Sequence, residues 1–115
     1  SFESLDIWKI GLELVKEVYR ITTLFPQAEQ YAMSSQLRRA STSILANTAE
    51  GFSRWSDADK AHKYAIARGE CSEVKAFLLI AVALQFVSAE QTSHAMELIE
   101  KTGQMLSGLH RSYRA

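Results

Sequence analysis

Three short patterns in this 115-residue sequence contain the residue types of known catalytic or metal sites. Ser72-Glu73-Val74-Lys75 has the serine and lysine of penicillin-recognising enzymes, and Lys101-Thr102-Gly103 has their Lys-Thr-Gly signature. That chemistry also needs a Ser-Asp-Asn, which here reads Ser56-Asp57-Ala58, and a strand to carry the Lys-Thr-Gly. Both patterns fall inside helical periodicity, so the match is coincidental. Asp59-Lys60-Ala61-His62 has the carboxylate-to-imidazole spacing of di-metal helical proteins. Those sites use glutamate, a second copy of the motif and inward carboxylates on two further helices. His94 and His110 have no partner at ligand spacing and are expected on helix surfaces. Cys71 sits among apolar heptad positions, where a thiol acts as a small buried hydrophobe. No nucleophile, base and oxyanion donor converge. The sequence therefore predicts a protein that is not an enzyme, with no catalytic residue, metal, cofactor or small-molecule substrate.

A second group of polar residues falls where packing should be apolar. Asn47 lies seven after Ala40 and three after Ile44, and Arg68 lies four after Tyr64 and three before Cys71, so both are expected to face the core or an interface. If the chain reverses near Arg54, antiparallel pairing brings Arg38 and Arg39 opposite Glu70 and Glu73, and Glu50 belongs to the same polar set. This predicts a salt-bridge network that fixes helix register or subunit contacts, because a buried charge persists only when paired. A polar ligand site is the alternative reading.

The candidate contacts to nucleic acid are Arg54, Trp55, Lys60 and Lys63, with His62 among them, and Arg111 and Arg114 near the end of the chain. Trp55 offers a stacking face for a base, or equally a surface for a neighbouring subunit. Asp57 and Asp59 dilute the first group. Thirteen Lys and Arg balance thirteen Asp and Glu, for a formal net charge of zero, so no global field draws the chain to a polyanion and any such site is a local patch. In an oligomer each patch would repeat once per subunit, and multivalency raises the affinity of weak contacts.

The elements that carry these residues are helical. Apolar residues recur at three-to-four spacing from about Leu5 to Phe25, along Ile7, Leu14, Val18, Ile21 and along Trp8, Leu12, Val15, Tyr19. Pro26 stops this first helix. A second helix is predicted from about Tyr31 to Phe52, with Met33, Leu37, Ala40, Ile44 and Thr48 inward, ended by Gly51 in the left-handed conformation. Ser56 opens a third, from about Asp57 to Gln85, and Ser88-Ala89-Glu90-Gln91 is a capping box that opens a fourth. β signals are absent, and nothing marks a domain boundary. The expected architecture is all-α, an antiparallel up-down-up-down four-helix bundle forming a single domain over residues 1–115.

The stretch Val74 to Val87 is apolar on nearly every side, with only Lys75 and Gln85 polar. Fourteen residues are too few to span a bilayer, which needs roughly twenty. Phe77, Ile80 and Leu84, spread around this helix, are therefore predicted to form an oligomer interface, and a homo-oligomer closed by cyclic symmetry is expected. The acidic opening residues lack the features of a secretory signal and Cys71 is the only cysteine, which together predict a cytoplasmic protein.

Phe2-Glu3-Ser4-Leu5-Asp6-Ile7-Trp8, Gln36-Leu37-Arg38-Arg39-Ala40, Asn47-Thr48-Ala49-Glu50-Gly51-Phe52 and Ala67-Arg68-Gly69, in this order and spacing, resemble the four-helix bundle family that includes proteins encoded in intervening sequences of bacterial large-subunit ribosomal RNA genes. The resemblance covers essentially the whole chain. It implies a small cytosolic bacterial protein and a homopentameric ring. The patches around Arg54 to Lys63 and Arg111 to Arg114 make RNA or a ribonucleoprotein the candidate partner of a non-enzymatic oligomeric scaffold, and a purely structural protein-interaction ring with no nucleic-acid role is the alternative. No enzymatic activity is established for the family. Relatives in diversity-generating retroelements bind reverse transcriptase and nucleic acid, but they are markedly basic and this chain is neutral. The sequence departs from the family pattern at Leu45, where proline is common, which implies a straighter second helix. It also departs at Glu70 and Cys71, where Ser and Leu are usual.

Overall fold

The computed structural model describes residues 1 to 114, and all regular structure among them is helical. Four long helices, α1 (Asp6–Thr22), α2 (Met33–Ser53), α3 (Asp57–Ala83) and α4 (Ala89–Tyr113), are accompanied by short 3-10 turns at Phe2–Ser4 and Gln27–Glu29. Helices α1 and α3 each pack against both α2 and α4.

In α1 the buried residues are Ile7, Gly11, Leu14, Val18, Ile21 and Thr22, spaced as one face of an α-helix requires. The second stripe lies at the margin of that face, with Trp8 and Val15 half-buried and Leu12 and Tyr19 exposed. The helix ends at Thr22, three residues before the expected Phe25. The exit tightens into three-residue hydrogen bonds, Thr23 N to Arg20 O, Leu24 N to Ile21 O and Phe25 N to Thr22 O at 2.9 to 3.3 Å, which use carbonyls that a continuing α-helix would leave for later amides. Phe25 nonetheless stays in the core, its ring 5.6 Å from that of Phe86.

Helix α2 buries Leu37, Ala40, Ile44, Leu45 and Thr48. It runs unbroken through Leu45, whose Cδ2 would lie 2.6 Å from a Cβ built on Gly11, so the glycine allows α1 to approach α2 closely. Gly51 is a correction to the sequence reading. No glycine among the described residues has a positive φ, and Gly51 is a buried residue within α2 rather than its left-handed end. It is there for space: a Cβ would meet the Tyr64 ring, 2.7 Å from Cε1. The helix ends two residues later, where Arg54 turns extended.

Helix α3 starts as expected, with the Ser56 hydroxyl accepting from the Asp59 amide at 3.1 Å. Its end differs. Gln85, expected inside the helix, is the one non-glycine residue of positive φ (62°) among those described. Phe86 N donates to Ala81 O and Gln85 N to Val82 O, both at 2.9 Å, which is the paired hydrogen bonding of a Schellman cap. The capping box of α4 is complete: Gln91 N donates to the Ser88 hydroxyl at 3.1 Å, and Ser88 N donates to the Gln91 side-chain oxygen at 2.9 Å.

Leu14, Val18, Ile21, Leu37, Ile44, Val74, Leu78 and Leu106 form the closed centre of the core. Thr22, Ser41, Thr48, Thr92 and Thr102 are buried beside them. Each of these hydroxyls donates to a carbonyl three or four residues back in its own helix, so none is buried at the cost of a lost hydrogen bond. Among the described residues no helix is long and apolar enough to cross a membrane.

Candidate functional site

The turn between α2 and α3 carries Arg54 and Trp55, and the start of α3 carries Lys60 and Lys63. Trp55 is 99% exposed. Its basic neighbours are held by local partners. Arg54 Nη2 and Lys63 Nζ approach the same oxygen of Glu50, at 3.5 and 2.7 Å. The Lys63 hydrogen bond, and then its charge, holds the Glu50 carboxyl below the usual carboxylate range. Lys60 Nζ donates to Phe52 O at 2.7 Å and Gly51 O at 3.3 Å, filling carbonyls that the end of α2 leaves without amides. The same ammonium lies 5.8 Å from the Phe52 ring centroid and 5.7 Å from that of Tyr113.

The last turns of α4 lie beside this end of the molecule. The Tyr113 and Tyr64 rings are 5.9 Å apart, and His110 Nδ1 is 3.0 Å from Ala61 O. A carbonyl only accepts, so this contact requires the proton on Nδ1. His110 is therefore half-buried and engaged rather than on the open helix surface. Arg111 and Arg114 are exposed, and the structure brings them to the end of the molecule that also carries Arg54 and Trp55.

The predicted polar network divides into separate pieces. Arg39 pairs with Glu73 across α2 and α3 at 3.5 Å. Arg38 does not join it: Nε donates to the Thr22 hydroxyl at 2.8 Å and the guanidinium lies 4.6 Å from the Tyr19 ring centroid. Consecutive residues point about 100° apart around a helix, so Arg39 faces α3 while Arg38 faces α1. Glu70 is half-buried near Glu73, with one carboxylate oxygen buried and without a hydrogen-bond partner. Burial, and then the charge of Glu73, raises its pKa, while Arg39 acts in the opposite direction. Glu50 belongs to the turn rather than to this pair. Asn47 is half-buried and donates to Ser43 O of its own helix at 2.9 Å.

Arg68, expected toward the core or an interface, is exposed on the monomer. It follows the buried Ala67 by one position, which rotates it off the inner face and onto the rim of a groove between α3 and α4. Cys71, at the bottom of that groove, is buried with Sγ 3.4 Å from Ile99 O. Burial pushes its thiol up to about 11, which suppresses the thiolate.

On the later half of α3 and its C-cap, Leu79, Ile80 and Leu84 are 54%, 44% and 55% exposed. Phe77 departs from the expected outward position, being half-buried and packed against the core. Leu79 is the residue that the sequence reading missed. Its apolar neighbours on both sides hide its outward direction, which only the register of α3 reveals. Among the described residues no group of three His, Cys, Asp or Glu side chains is placed to hold a metal ion.

Four packed helices with a shared apolar core, short polar clusters at their margins and an uncovered apolar row define a small all-helical protein. The chain belongs to the family of 23S rRNA-intervening sequence proteins, whose model matches residues 3–108. Among solved structures it is similar to a protein of unknown function from the S23 ribosomal protein family of Bacteroides thetaiotaomicron. The two share 26% sequence identity with a TM-score of 0.81, over 90% of this chain and 97% of that one. No curated protein matches the chain.

Proposed function

We propose that this protein is a non-enzymatic scaffold, an antiparallel up-down-up-down four-helix bundle that assembles with copies of itself into a closed ring. The helix directions are supported by cross-helix pairs whose numbers run oppositely: Lys63 with Glu50 and Arg39 with Glu73, then Lys75 with Glu100 and Ala61 with His110. Assembly rests on one observation, the row Leu79, Ile80 and Leu84, each 44% to 55% exposed on the helix face where a monomer would carry polar side chains. Covering what remains exposed of each contributes about 1 kcal/mol. A ring repeats that gain at every interface without leaving an open end. The family resemblance makes five subunits the expected number.

Light scattering during size-exclusion chromatography, at a fixed protein concentration, tests this reading. The expected result is one defined oligomer that falls to monomer in the Ile80→Asp, Leu84→Asp double variant with its helical circular dichroism intact. A monomeric parent protein at about 100 µM, well above the Kd of a stable assembly, would refute it.

A second reading, contact with RNA, is favoured by the fully exposed Trp55 beside Arg54 at the end of the molecule shared with Arg111 and Arg114. Titration with a structured ribosomal RNA stem-loop at about 50 and about 200 mM salt tests it, since phosphate contacts weaken steeply over that range. Binding lost in an Arg54→Ala, Trp55→Ala, Arg114→Ala variant supports the reading, and no saturable binding at the lower salt removes it.

A further inference from the structure

We infer that the groove between α3 and α4 is a binding site for a phosphate group, set apart from the apolar row and sharing only Arg111 with the residues of the RNA-contact reading. The groove has a volume of about 480 Å³ and is lined by Arg68, Ser72, Lys75, Gly103, Ser107 and Arg111 among others. Small residues make it concave. Gly103 has no side chain, and a Cβ there would only reach ordinary van der Waals contact with Cys71 Sγ, at 3.9 Å. Ser72 and Ser107 keep the walls short.

Charge is the second consideration. In a chain whose net charge is zero, this groove gathers three cations against one carboxylate. Lys75 takes that carboxylate, pairing with Glu100 at 2.7 Å. Arg68 and Arg111, like Arg38 and Arg114, then have no carboxylate within 4.0 Å among the described residues, whereas Arg20, Arg39 and Arg54 each have one; Arg38 is instead held by Thr22 and Tyr19. Arg111 lies along α4, with Nη2 4.0 Å from the Cβ position of Gly108, and forms part of the groove's wall.

The hydroxyls supply a third, separate observation. A serine within a helix can donate back to a carbonyl of the preceding turn, as Ser41, Ser53, Ser93 and Ser112 do here and Ser34, Ser35 and Ser43 do not. The hydroxyls of Ser72 and Ser107 make no hydrogen bond among the described residues, so both remain available on facing walls of the groove. Two guanidinium forks and two free hydroxyls are donors in search of acceptors. A phosphate group offers only acceptors, and its geometry matches the guanidinium fork. The volume exceeds that of a bare phosphate and leaves room for the group that carries it.

The phosphate can be a terminal monoester of a small molecule or a diester within a nucleic-acid strand, and calorimetric titration of the full chain at low salt separates the two. The probes are adenosine 5′-monophosphate and a hexauridylate without terminal phosphates. Saturable binding of the first alone assigns a terminal phosphate; binding of the second alone assigns a strand; either outcome supports the site when Arg68→Gln and Arg111→Gln each weaken it about tenfold or more. Lys16→Gln, exposed on α1 and outside the groove, leaves that affinity unchanged. Ser72→Leu fills the groove from an exposed position without altering charge and abolishes binding. Absence of saturable binding by both probes, or equal affinity in the Arg68→Gln, Arg111→Gln and Ser72→Leu variants with unchanged helical signal, overturns the proposal.

Discussion

Replacing Gly51 by alanine sets two effects of known sign against each other. Alanine is the better helix former, worth about 1 kcal/mol over glycine in a helix interior. Position 51 is helical and buried, so this gain applies. Against it stands the Tyr64 ring. The new methyl would lie 2.7, 3.0 and 3.1 Å from Cε1, Cδ1 and Cζ, three atoms of one rigid ring rather than the tip of a flexible chain. Tyr64 is only 2% exposed and packs, tilted, 5.9 Å from the Tyr113 ring, so it has little room to withdraw. Overpacking of this kind costs about 1 to 3 kcal/mol. The sum is a net loss on the order of 1 kcal/mol, which lowers the melting temperature by a few degrees. Denaturant and thermal unfolding at one fixed protein concentration read it, since assembly makes both depend on concentration. The double variant with Tyr64→Leu is decisive: once the ring is gone, Gly51→Ala should become stabilising by the helix term alone. A Gly51→Ala protein more stable than the parent, or a cost that persists in the Tyr64→Leu background, would refute the steric account.

Three further outcomes follow from other positions. Native Cys71 should react with a thiol reagent at pH 8 about a hundredfold more slowly than the unfolded chain, because its thiol lies near 11 rather than 9 and is buried besides; equal rates would contradict its burial. Glu70 has a folded pKa raised above the unfolded value, so its charge destabilises the fold once the pH exceeds that raised value, and the penalty fades as pH falls toward the unfolded value. Glu70→Gln should accordingly raise the denaturation midpoint at pH 7 and do less at pH 4, and a lower midpoint at pH 7 would show the carboxylate to be a favourable partner of Arg39. Gln85→Gly should stabilise by about 0.5 to 1 kcal/mol, since a side chain is strained at φ 62° and glycine is not; a destabilised variant would mean that the Gln85 side chain contributes more than its backbone costs.

Helix number and inner faces were legible because the signals are periodic and repeated: Leu37, Ala40, Ile44 and Thr48, or Tyr64, Cys71 and Leu78, each place a face several times over. Ser56 and Ser88 were legible because their caps use side chains whose spacing is visible in the sequence. What escaped were features decided by tertiary neighbours or by backbone alone. Gly51 reads as a helix terminator until Tyr64 is seen against it, and the actual left-handed residue is a glutamine that no rule singles out. Arg38 and Arg39 are adjacent in sequence but address different helices. Family membership, by contrast, was carried by the blocks around Arg38, Glu50 and Arg68, whose order and spacing agree with the family match over residues 3–108.

The position of Lys60 has a consequence for how the molecule comes apart. One ammonium group from α3 ties the final carbonyls of α2 and lies against Tyr113 of α4, so three chain segments share a single fastener. Fraying of the last turn of α4 and opening of the α2–α3 turn are then not separate events: loosening either frees the lysine that steadies the other. This end of the protein is expected to open as one cooperative unit, its amides exchanging with solvent together although they belong to segments nearly sixty residues apart in sequence.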